Sequence, residues 1–114
     1  MERKYRVRLS SDFRRIRREG KSWAHRLVVL CLLHNDLEYS RFGFAVSKGV
    51  GNAVTRNRVR RRMREVVRLQ RDSIEGGWDM VFIARPSIRQ ATYAEIESAI
   101  EDLVARAGLR GALN

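Results

Sequence analysis

The segment GNAVTRNRVRRRMREVVR, residues 51–68, places seven arginines around four apolar residues, Val59, Met63, Val66 and Val67. On a helix at about 100° per residue with Val59 at zero, Met63, Val66 and Val67 fall at about 40°, about −20° and about 80°. That is one apolar stripe. Arg60, Arg61, Arg64, Arg68 and Arg71 fall between about 100° and about 200°. The segment therefore dictates a helix with one side packed on a sheet and a broad cationic side left over. Glu65 is the only acid between positions 39 and 71, so neighbouring side chains offset little of the repulsion.

Arg61, Arg64 and Arg68 recur one turn apart, about 5 Å per turn along one face. Guanidinium groups at that pitch can follow a row of phosphates, each by a two-pronged hydrogen bond. The bland alternative is a solvated charged face, and the scarcity of acids argues against it. The wider charge pattern agrees. Residues 1–71 carry 20 Lys/Arg against 6 Asp/Glu and residues 72–114 carry 4 against 7, which divides the net charge of +11 into +14 and −3. Such a field favours a polyanionic partner, nucleic acid ahead of an anionic membrane.

At 114 residues the chain is expected to form a single domain over 1–114, burying roughly 65% of its unfolded surface. The longest apolar run, Leu27–Leu33, is too short to span a bilayer. Charge at the start is not followed by the apolar core of a signal peptide. A single cysteine, Cys31, excludes an internal disulfide and suits the cytoplasm, with a buried apolar role inside LVVLCLL.

Along the chain, Ser10 or Ser11 is expected to cap a short helix, DFRRIRRE, that Gly20 ends. Residues 26–33 read as a strand buried on nearly both faces, residues 41–47 as an alternating strand, and residues 80–84 as a third. Thr92 and Glu95 form a capping box opening a helix whose Ile96, Ala99, Ile100, Leu103, Val104 and Ala107 share one side, with Gly108 as its stop. The class is α+β.

Two further features bear on binding. Gly49-x-Gly51-Asn52 precedes the arginine helix, where backbone amides could cradle a phosphate. Phe13 stands among Arg14, Arg15, Arg17 and Arg18, suited either to stack on an unpaired base or to fill the core. Catalytic patterns are missing. His25 and His34 lack partners at metal-ligand spacing, and Glu95, Glu97, Glu101 and Asp102 read as the wet side of the last helix. The residues describe a binder with no catalytic or metal site of its own.

The run FGFAVSKGVGNAVTRNRVRRRMREVVR resembles the signature of the protein subunit of bacterial ribonuclease P, in which a strand ending Val-Ser-Lys leads to Gly-Asn-Ala-Val and an Arg-Asn-Arg motif, here Arg56-Asn57-Arg58. RLSSDFRRIRREGK and DMVFIARPSIRQATYAEI extend the likeness over nearly the whole chain. The resemblance implies a two-layer α-β sandwich with a four-stranded sheet, like the second domain of ribosomal protein S5. It also implies a left-handed β-α-β crossover, against the usual hand, and a fourth strand around residues 22–24. It implies a ribonucleoprotein that removes the 5′ leader from precursor tRNA, with the catalytic centre and Mg2+ held mainly by the RNA subunit. By position, Arg56, Asn57, Arg58, Arg60, Arg61, Arg64 and Arg68 would face the catalytic RNA. Phe13, Arg14, Arg17 and Lys48 would line a cleft for the single-stranded leader. Arg17 and Cys31 stand where the family often has aromatics, which shifts the expected leader contact from stacking toward phosphates.

Neither a membrane nor an obligate protein partner is implied. The principal alternative is a ribosomal or RNA-chaperone protein with no role in cleavage. A duplex-DNA binder lacks a helix-turn-helix partner here, and the arginines outnumber residues such as Asn or Gln that read bases. A metal-dependent nuclease lacks clustered carboxylates.

Overall fold

The computed structural model describes residues 1–110; the last four positions of the expected domain lie outside the described residues. The elements are α1 (Ser10–Glu19), β1 (Lys21–Ala24), β2 (Val28–His34), β3 (Arg41–Ala45), α2 (Ala53–Gln70), β4 (Trp78–Ala84) and α3 (Tyr93–Arg106). They build one sheet in the order β1-β2-β4-β3. β2 runs antiparallel to both β1 and β4, whereas β3 runs parallel to β4. A parallel pair needs a crossover, and the arginine helix α2 supplies it.

The stripe of α2 is buried as its periodicity requires: Val59, Met63, Val66 and Val67 are at most 1% exposed. They meet α3 and the face of the sheet carrying Leu30, Phe42, Met80 and Phe82. These two helices and the sheet make the α-β sandwich. α1 lies on the other face, where Ile16 and Val7 close over Cys31 and Val81. Cys31 is a buried free thiol whose pKa burial pushes up, against the pull of the Arg17 charge.

The fourth strand is present at Lys21–Ala24, pairing Trp23 with Leu30. Its residues are exposed except for half-buried Trp23, so it carries no alternation to betray it. The start of α1 differs from expectation. Ser10 and Ser11 lie within the helix, and Leu9 occupies the cap position without a side-chain bond. The Leu9 carbonyl accepts from the amides of Asp12 and Phe13 at 3.0 and 3.1 Å, which begins the helix before either serine can cap it. Asp12 in the first turn complements the helix dipole instead. The capping box of α3 is present: the Glu95 amide donates to Thr92 Oγ1 at 3.1 Å and Glu95 Oε1 accepts from the Thr92 amide at 2.9 Å.

One buried charge was hidden in the sequence. Asp79 of β4 is fully buried. It accepts from Arg41 Nε and Nη2 at 2.8 and 2.6 Å, from Asn35 Nδ2 at 3.0 Å and from Arg15 Nη2 at 3.5 Å. A buried carboxylate is tolerated only when paired and hydrogen-bonded in this way. The network joins β4, β3, the loop after β2 and the outer helix α1.

Candidate nucleic-acid interface

Burial of its apolar stripe fixes which side of α2 faces outward. Arg61 and Arg68 are exposed, and Arg60 and Arg64 are half-buried. Arg64 stands close to Arg6 and Arg60; burial and then those two charges depress its pKa below the usual arginine value. Like charges held together this way cost free energy that an incoming anion would recover.

Arg64 forms one wall of a hollow of about 270 Å³, with Arg6, Val7, Arg8, Phe13, Phe42, Gly43 and Phe44 around it. Phe13 is half-buried, part of the apolar cluster under α1 yet open to this hollow. It rests on Gly43, where a Cβ would come within 2.7 Å of Phe13 Cζ. The hollow thus combines an accessible ring with three arginines. Arg6 and Arg8 escaped the sequence reading. Their signal was the Arg-Val-Arg alternation, for Val7 donates its amide to the Phe42 carbonyl at 2.8 Å and points inward, leaving its neighbours outward.

The remaining expected leader residues do not line this hollow. Arg14 and Arg17 are exposed on α1, with Arg17 near enough to Cys31 to act on its thiol. Lys48 is exposed in the short turn Lys48–Val50 ahead of α2.

The Arg-Asn-Arg motif is divided by the helix surface. Arg56 Nη1 donates to the Gly51 carbonyl at 2.8 Å, bracing the turn into the helix. Asn57 Oδ1 accepts from Arg60 Nη1 at 3.0 Å. Arg58 Nη2 reaches the Arg89 carbonyl at 3.4 Å, and Arg62 Nη1 reaches the Ala91 carbonyl at 3.3 Å. In the expected row, Arg68 forks onto Glu65 at 2.7 and 3.0 Å, holding that carboxyl below its usual range. Arg61 has no hydrogen-bond or ion partner among the described residues. Arg61 and Arg64 are therefore the members of the row most available to a phosphate.

Several of the amides at the expected phosphate cradle are already engaged. Val50 and Gly51 donate to the carbonyls of Ser47 and Lys48, and Thr55 donates to Asn52 Oδ1. Asn52 is the cap of α2. No group of three or more His, Cys, Asp or Glu side chains is placed to hold a metal ion among the described residues. His25 Nδ1 accepts from the Leu27 amide, and His34 packs edge-on against Trp78. No helix of the described residues is long and apolar enough to cross a membrane.

With this geometry in hand, the likeness to known proteins is informative. A family model described as Ribonuclease P matches residues 1–108. The Ribonuclease P protein component of Alkaliphilus metalliredigens is 44% identical over 104 residues, covering 91% of this chain and 94% of its own. That of Clostridioides difficile is 48% identical over 101 residues, covering 88% and 89%. Among solved structures, an RNase P protein from Staphylococcus aureus superposes with a TM-score of 0.87 at 32% identity, covering 94% of this chain and 98% of its own. The one from Thermotoga maritima gives 0.82 at 31% identity, covering 89% and 96%.

Proposed function

This chain belongs to the bacterial ribonuclease P protein family, and from that premise we propose how its surfaces divide the work of precursor-tRNA maturation. As a ribonuclease P protein component it is a subunit of an endoribonuclease and has an RNA partner. In our reading the catalytic centre lies in an RNA subunit, which also holds most of the Mg2+, and the protein supplies binding and geometry. Arg61 and Arg64, with Arg56, Asn57, Arg60 and Arg68 around them and Arg58 on the opposite flank of the helix, neutralise phosphates of that RNA. The hollow bounded by Phe13, Arg6 and Arg64 takes an unpaired nucleotide of the 5′ leader, and Arg14, Arg17 and Lys48 extend the contact along its backbone. Only the precursor carries a leader, so this contact favours substrate over product. The cytoplasm, where precursor tRNA is met in bacteria, is the site of action.

The observation that carries this reading is the crowding of Arg64 with Arg6 and Arg60 beside an accessible phenyl ring. Guanidinium groups recruit the phosphate while the ring stacks on the base, a contact worth about 1–3 kcal/mol per base. The deciding test is cleavage of a leader-bearing precursor tRNA at low Mg2+ by the protein alone, by ribonuclease P RNA alone and by both. Cleavage only or far faster with both supports the reading. Cleavage by the protein alone would place the reaction in this chain. No effect of the protein on RNA-driven cleavage would favour a ribosomal or chaperone role.

A further inference from the structure

The arginine helix has a second flank. Arg58 and Arg62 emerge on the side away from Arg60 and Arg64 and lean on the carbonyls of Arg89 and Ala91 through long bonds of 3.4 and 3.3 Å. These carbonyls belong to the segment around the short turn Pro86–Gln90, which is fastened to the β1–β2 connection: Ser87 Oγ donates to the Arg26 carbonyl at 2.6 Å, and Arg85 Nη1 to the His25 carbonyl at 3.3 Å. Three chain segments distant in sequence thus bring Arg26, Arg58, Arg62, Arg85 and Arg89 to one side of the molecule. Arg26 and Arg89 both line an open hollow of about 510 Å³, whose other polar lining includes Ser87 and Gln90. The acid on its rim is Glu95. One of its carboxylate oxygens accepts from the Thr92 amide, and the other is 4.0 Å from Arg26.

We propose that this face, with Arg26 and Arg89 as its principal contacts and Arg85 beside them, is a second phosphate-binding surface that grips a strand of the catalytic RNA separate from the one on Arg61 and Arg64. The inference rests on the RNA-assembly reading above and adds a surface to it. Predominantly positive charge, open access and guanidinium donors lining the hollow suit a phosphodiester backbone. A helix with its side chains is about 10–12 Å across, so its two flanks meet different strands and α2 is held between them. Arg58 and Arg62 each tie one Nη loosely to a backbone carbonyl, which leaves the other Nη to share the same phosphates, while Arg58 Nε is buried against the protein.

The test is the Arg26→Ala/Arg89→Ala double variant of the full chain, titrated against ribonuclease P RNA over a range of salt. Both side chains are exposed, and a thermal melt confirms that the variant folds. Losing two phosphate contacts is expected to make the slope of log K against log salt shallower by about 1.4–1.8, and to raise Kd roughly tenfold at moderate salt. The ratio of precursor to mature tRNA affinity should stay unchanged, and Arg26→Lys/Arg89→Lys should restore most of the slope. An unchanged slope and Kd, with Arg61→Ala/Arg64→Ala still weakening binding, would overturn this surface alone. If neither pair matters, the underlying assembly reading falls too. A change confined to the precursor-to-mature ratio would also overturn it, by placing substrate where we place catalytic RNA.

Discussion

Phe13 and Gly43 act as one unit. The ring covers the strand only because position 43 lacks a Cβ, so Gly43→Ala drives the ring outward at a cost of about 1–3 kcal/mol and tilts a wall of the hollow. We expect Phe13→Ala to lower precursor-tRNA affinity about tenfold while sparing mature tRNA and the catalytic RNA, as one lost base stack implies. Equal losses for precursor and mature tRNA would count against the hollow as a leader site. Asp79→Ala is a different kind of change. It strands the partly buried Arg41 guanidinium and Asn35 amide, and urea denaturation should show about 1–3 kcal/mol of lost stability. Nothing local in the sequence announced that residue. The strand expected over residues 80–84 begins one position past it, and the partners of the carboxylate lie 38, 44 and 64 positions away, beyond the reach of any periodicity.

Among elements, α2 was the most legible because two independent constraints coincide in it. Its stripe recurs at the helical period, and its arginines leave no second way to bury it. β1 was legible only through family likeness, since an exposed edge strand has no buried face to impose alternation. The start of α1 misled because a serine signals a cap only if the preceding residue has not already begun the turn. The helix α2 also separates stability from binding. Met63→Ala opens a cavity under the helix and should cost about 2–5 kcal/mol with the basic face intact. Arg64→Gln should do the opposite. Relieved of Arg6 and Arg60, the protein should melt at the same temperature or higher, while its RNA affinity falls and the salt dependence flattens. A lower melting temperature for Arg64→Gln would show that Arg64 holds the fold together and is not strained by its neighbours.

At the scale of the whole molecule, a net charge of +11 is confined to a body of 36 × 32 × 25 Å. A multivalent anion that prefers the folded arrangement of guanidinium groups stabilises it by mass action. Exchanging chloride for sulfate at matched ionic strength should therefore raise the melting temperature by a few degrees. No rise would argue that the arginines are too dispersed to act together. The strand order has a consequence for synthesis. β3 pairs within the sheet only with β4, and β2 reaches β3 only through β4, although β4 is the last strand to be made. Until Trp78–Ala84 has left the ribosome, the nascent chain can form little beyond the β1–β2 hairpin, which is marginal by itself. α1 likewise waits for Val81 and Asp79 before it can settle. The arm that we assign to the leader is thus translated before the strand it seats on, so a chain stalled or truncated ahead of β4 exposes a cationic segment with no finished cleft to restrain what it binds.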